Sequence, residues 1–133
     1  MVISKWEMYS ADIRESWHDL RGTMKLTNLA VGVTNWSELP ASVHPGESGT
    51  ATMRMRQFGD IQLRYAVYSA NYVADHWCQK GHIVFVVAGQ LVIEHQHGAT
   101  YTLTPGASYH VADDDGPPHR VRSEDGATIF IVD

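Results

Sequence analysis

The stretch ADHWCQKGHIVFVVAG, residues 74–89, constrains the fold of this chain more than any other. Its apolar run Ile83-Val84-Phe85-Val86-Val87 is too short for a typical helix and rich in β-branched and aromatic side chains. That predicts a strand buried on both faces and ended by Gly89. Ahead of the run, His76, Cys78 and His82 are spaced by two and then four positions, so on extended backbone they share one parity and point to one side of a sheet. Gln79-Lys80-Gly81 reads as a tight connection that folds His82 back beside His76 and Cys78 as a neighbour across a hairpin. Far along the chain, Gly116-Pro117-Pro118-His119 sets another histidine behind two prolines, whose fixed φ angles aim it where the next strand begins. His119 is the expected fourth donor.

Turn residues cut the remainder into short strands. In residues 26–36 the alternation of Leu29, Val31 and Val33 predicts an edge strand, and residues 37–49, with Pro40, His44, Pro45 and Gly46, predict a loop in which His44 is solvated. Residues 50–57 and 60–69 read as a hairpin about Phe58-Gly59, with Ile61, Leu63, Tyr65 and Val67 on one face. Arg54 and Arg56 alternate with Met53 and Met55 and read as a solvent face; were the arginines to look inward, Arg54, Arg56 and Arg64 would suit a carboxylate or phosphate. Further strands are expected over 90–96, 100–104, 107–112, 119–122 and 127–132, with either Tyr109 or His110 facing inward. His95-x-His97 has the spacing of a metal pair, but it sits beside Gly98 with no third donor nearby and reads as a solvated turn. Asp113-Asp114-Asp115 reads as a hydrated loop, since calcium needs more oxygen donors than three consecutive residues aim at one point. About nine or ten short strands without repeat or linker make an all-β antiparallel barrel or sandwich.

A chain of 133 residues makes one domain with a core that needs no disulfide. Residues 1–25 read as an extension to it, in which Ser10 caps a short helix carrying Ile13, Trp17 and Leu20, with Gly22 as a stop. The net charge of −5 offers no excess of positive charge to nucleic acid. No segment approaches the apolar length that spans a bilayer, and the N-terminus lacks the continuous apolar core of a secretory signal, so neither a membrane partner nor export is expected. Cys78 is the only cysteine; no intramolecular disulfide can form, and the cytoplasm is the expected compartment.

The donors and turn glycines together resemble the cupin superfamily. In that pattern a first motif supplies His-x-His, then Glu, ahead of a hydrophobic strand and Gly, and a second motif supplies His. With Gly89 as the glycine, His76 stands at the first His, Cys78 at the second and His82 at the Glu, while Pro105-Gly106 and Gly116-x-x-His119 stand at the second motif. Asp75-His76-Trp77-Cys78, Lys80-Gly81-His82 and the C-terminal Ile129-Phe130-Ile131-Val132-Asp133 resemble the small DHCW-motif cupins. The resemblance covers residues 26–133 and implies a single-domain jelly-roll barrel. It also implies a homodimer, in which the strand of residues 26–36 takes part, and a small-molecule ligand or substrate in the barrel. Asp113-Asp114-Asp115 lengthens the second motif, and Ser123 stands where the family often has Asn.

Three imidazoles and a thiolate, on His76, Cys78, His82 and His119, suit a divalent transition metal, zinc or iron ahead of copper, nickel and manganese. Four protein ligands close a tetrahedral shell. If Cys78 is instead a buried thiol off the metal, three histidines leave a position open, as in oxygenase-type cupins. Sequence reasoning therefore carries three readings: a metal enzyme of oxygenase, isomerase or lyase type on a small polar molecule, a non-catalytic metal- or ligand-binding module, and a cupin that has lost its metal. It assigns no catalytic residue.

Overall fold

Strands pair here because turn glycines and prolines break the chain every few residues and each segment has an apolar parity to bury. The structure, a computed structural model, describes residues 26–114 and 116–133; the expected helix, the whole 1–25 extension and Asp115 lie outside the described residues. The strands are β1 (Ser42–Pro45), β2 (Thr50–Phe58), β3 (Ile61–Tyr68), β4 (Tyr72–Val73), β5 (His82–Gly89), β6 (Leu91–His95), β7 (Thr100–Leu103), β8 (Ser108–Val111), β9 (His119–Ser123) and β10 (Ala127–Val132). They form a six-stranded sheet in the order β1-β2-β3-β10-β5-β8 and a four-stranded sheet in the order β4-β9-β6-β7, with every pairing antiparallel. Ala66, Val84, Val86, Ile129 and Ile131 from the first sheet and Leu91, Ile93 and Leu103 from the second fill the space between them. This is an all-β jelly-roll barrel. Among the described residues no helix is long and apolar enough to cross a membrane.

The hairpin of β2 and β3 turns at Gly59, whose φ of +58° suits a residue without Cβ. Its register pairs Arg54 with Tyr65 and Met55 with Arg64. Even positions of β2 therefore share a face with odd positions of β3. Ile61, Leu63, Tyr65 and Val67 do share one face, but it is the outer one; the inner face carries Arg64, Ala66 and Tyr68. Arg54 and Arg56 lie outside, as expected, and they tether the preceding segment: Arg54 Nε donates to the Leu39 carbonyl at 3.1 Å and Arg56 Nη1 to Thr34 Oγ1 at 3.1 Å.

Four local expectations are corrected. Residues 37–49, read as a loop, contain β1, which pairs with the start of β2. Residues 26–35 form no strand: Val31 and Val33 are fully exposed, and Asn28 adopts a positive φ that breaks the extended run. Trp36 docks beside it, stacked on Tyr65 and edge-on to Phe130. Strand β5 is buried on one face, through Val84 and Val86, while Ile83, Phe85 and Val87 are exposed among the described residues. Finally, residues 79–81 do not close a hairpin. The chain ahead of them pairs with β9, through β4 and then through a bridge from Cys78 to His119, and residues 79–81 carry it across to the other sheet.

Candidate metal centre

That crossing builds the site. Cys78 N–H donates to the His119 carbonyl at 2.7 Å, and His119 N–H donates back to Cys78 at 2.9 Å, which fixes the two residues side by side. His82 opens β5 in the facing sheet, held by β8 through Val111. Gly81 makes the approach possible. Its N–H donates to Asp113 Oδ1 at 2.7 Å, and a Cβ there would stand 2.7 Å from the Asp113 backbone nitrogen. The ligand atoms of Cys78, His82 and His119 all lie within 4.8 Å of one another.

The hydrogen bonds behind these rings decide which lone pairs face that point. His119 Nδ1 lies 3.0 Å from the Pro117 carbonyl, which only accepts, so the ring proton sits on Nδ1. Its Nε2 is buried with no partner. His82 Nδ1 lies 3.0 Å from Asp133 Oδ2, an oxygen that also receives Arg64 Nη2 at 2.6 Å. A carboxylate so paired accepts the Nδ1 proton and leaves the His82 Nε2 lone pair free, 3.3 Å from Cys78 Sγ. Burial holds the His82 imidazole below its ordinary pKa, against the opposing pull of Asp133, which favours the neutral, metal-binding form. The Lys80 N–H donates to the sulfur at 3.4 Å. Two imidazole nitrogens and a sulfur thus converge with their far sides occupied, and a zinc or iron ion would replace only the hydrogen bond between Cys78 Sγ and His82 Nε2.

His76 stands apart from this trio. Its side chain is 74% exposed and its Nδ1 is paired with Asp75 Oδ1 at 2.7 Å, a hydrogen bond that holds the Asp75 carboxyl below its ordinary pKa. The bridged backbone brings in Cys78, whereas residues 75–77 loop outward and leave His76 at the rim. The trio instead opens on a cavity of about 340 Å³ whose wall includes Met53, Tyr68, Tyr72, Ile93 and Tyr109, with His44 and His76 also lining it. A cavity of that size suits a small molecule.

Several residues escaped sequence reasoning. Asp133 continues the inward parity of Ile129 and Ile131, a signal that was available. Arg64 was named only on condition that it looked inward, because its face depends on the hairpin register. His95, expected to be solvated, is only 9% exposed, and its Nε2 meets the Tyr109 hydroxyl at 2.8 Å. Tyr109 is the inward residue of β8, paired with Val84 and lining the cavity.

Two antiparallel sheets packed as a jelly roll about an internal cavity match the cupin class of architecture. Solved structures agree. A protein described as a predicted oxalate decarboxylase from Thermotoga maritima superposes with a TM-score of 0.65 at 11% identity, covering 76% of this chain and 96% of that one. Ectoine synthase from P. lautus gives 0.61 at 18% identity, over 77% and 76%. A sugar phosphate isomerase of the cupin superfamily from Silicibacter pomeroyi gives 0.60 at 14% identity, over 76% and 74%. No protein-family model matches the sequence, and no curated protein matches it either. The chain has the cupin fold, as its motif order led one to expect.

Proposed function

We propose that this protein is a metal-dependent cupin enzyme that binds a divalent zinc or iron ion through Cys78, His82 and His119 and acts on a small polar molecule in the barrel. The observation that carries the reading is the His119 Nε2, buried without a partner and aimed with His82 Nε2 and Cys78 Sγ at one point. His76, counted with these donors on sequence, stands at the rim, where it would meet substrate. Held by Cys78, His82 and His119, such an ion would supply Lewis acidity, or with iron also redox chemistry, to a substrate oxygen. The chain's own residues do the rest. Apolar walls exclude water, Asp133 and the Pro117 carbonyl hold the two rings in one tautomer, and the Tyr109 hydroxyl, bonded to His95, offers a proton-bearing group. The names of the structural neighbours, a synthase, an isomerase and a predicted decarboxylase, support an isomerase- or lyase-type reaction ahead of an oxygenase-type one, and the single cysteine suits a cytoplasmic setting. We also place the protein in a homodimer, for reasons of its outer face given below.

One observation favours a non-catalytic ligand-binding module instead: among the described residues the exposed Asp75 is the only carboxylate lining the cavity, so a general base of that kind is not at hand. Metal analysis of tag-free protein tests the site. About one equivalent of transition metal is expected, lost in Cys78→Ser and His119→Ala and kept in His76→Ala. Cobalt loading should give a thiolate-to-metal charge-transfer band that disappears in Cys78→Ser. Metal-free protein of unchanged stability would overturn the metal reading, whereas bound metal with no exchangeable water would favour the module.

A further inference from the structure

Arg64 stands on the inner face of β3 in a wall whose neighbours are mostly apolar, among them Met53, Tyr68, Ile129 and Ile131. A guanidinium in such a place is costly unless its donors are met, and it carries five N–H donors in a fixed planar fork. One end of the fork is met by Asp133 Oδ2, 2.6 Å from Nη2. Its other donors find no oxygen: Nη1 points at the Met53 thioether at 3.6 Å, a weak acceptor, and the buried Nε has no partner. The side chain is 19% exposed and lines the cavity.

We propose that Arg64 is the ligand anchor of this cavity, taking the carboxylate of a short hydroxy or oxo acid whose second oxygen reaches the centre at Cys78, His82 and His119. The spacing argues for a short acid. Arg64 Nη2 and His82 Nδ1 share one oxygen of Asp133, at 2.6 and 3.0 Å, so the anchor and the centre are neighbours across a single carboxylate. Charge argues for an anion, and this part rests on the metal reading above. Arg64 and Asp133 cancel, while a divalent ion with one thiolate leaves the pocket positive. A guanidinium N–H with only a thioether in reach, such as Nη1 here, makes a strong charge-assisted hydrogen bond to a carboxylate.

The test titrates glycolate, 3-hydroxypropanoate and 4-hydroxybutanoate, each beside its uncharged amide, into cobalt-loaded full-length protein and reads the visible spectrum. One acid of the series should bind about tenfold or more tightly than its amide. Arg64→Met should bring the pair to within about threefold of each other while the thiolate-to-cobalt band persists, and Arg64→Lys should restore part of the preference. The proposal falls if none of the three acids binds, if acid and amide bind alike, or if the preference survives Arg64→Met, because the carboxylate would then sit on the metal alone. Absence of the thiolate-to-cobalt band in the wild type would instead count against the metal reading. The same pairs are then followed by thermal unfolding of the metal-free protein, where an acid-specific rise in Tm that Arg64→Met abolishes upholds the anchor and its absence overturns it. Should Arg64→Met not fold, Arg64→Lys decides in its place, a several-fold weaker acid preference being expected and an unchanged one fatal.

Discussion

A histidine ring has two nitrogens, and the partner of one decides what the other does. Pro117 and Asp133 take the Nδ1 protons of His119 and His82, so both rings present Nε2 inward. His95 sits elsewhere: its Nε2 is hydrogen-bonded to the Tyr109 hydroxyl at 2.8 Å, and the ring is enclosed by His97, Tyr101 and Tyr109. Burial, with His97 and His119 adding to it, pushes the His95 pKa below its ordinary value. The unfolded chain then binds this proton at a higher pH than the native protein does. The stability His95 contributes is fully present above about pH 6.5 and is lost as pH falls toward the native value. Urea unfolding between pH 7.5 and 5 should show that decline, with a slope shallower by up to about one proton in His95→Gln. An unchanged slope in the variant would mean that His95 titrates normally.

At the scale of an element, the critical piece is the connection at residues 79–81. A turn between paired strands was expected, and the backbone instead steps from one sheet to the other, with Gly81 pressed against the Asp113 backbone. Gly81→Ala should push this connection away from the loop before β9, loosening the 3.3 Å approach of Cys78 Sγ to His82 Nε2. A destabilisation of about 1–3 kcal/mol is expected, measured by urea unfolding, together with weaker cobalt binding. Unaltered stability and metal affinity would show that the close approach is easily relieved. Elements also show where parity could be trusted. Within β10 it places Ile129, Ile131 and Asp133 inward without any knowledge of partners. Between β2 and β3 it fails, because the turn length, and not the composition, decides that Arg64 joins Met53 and Met55 rather than Arg54.

For the whole molecule, the outer face of the six-stranded sheet matters most. Ile83, Phe85 and Val87 are exposed along one face of β5 among the described residues, with Val67 of β3 exposed beyond β10 in the same sheet. Contiguous apolar surface of this kind marks an interface. Sedimentation velocity at micromolar concentration should therefore give a dimer, and Phe85→Lys should give a folded monomer. A wild-type monomer under those conditions would remove the homodimer from the reading.

By itself the sequence determined most of the strands and the turn glycines, and hence the barrel, because those follow from local periodicity and from which backbone angles Gly and Pro accept. Only the tertiary structure decided that Cys78 meets His119 through a backbone bridge, that His76 is left at the rim, and that Arg64 faces inward. Strand register and crossings between sheets join residues distant in the chain, and no local pattern carries that information.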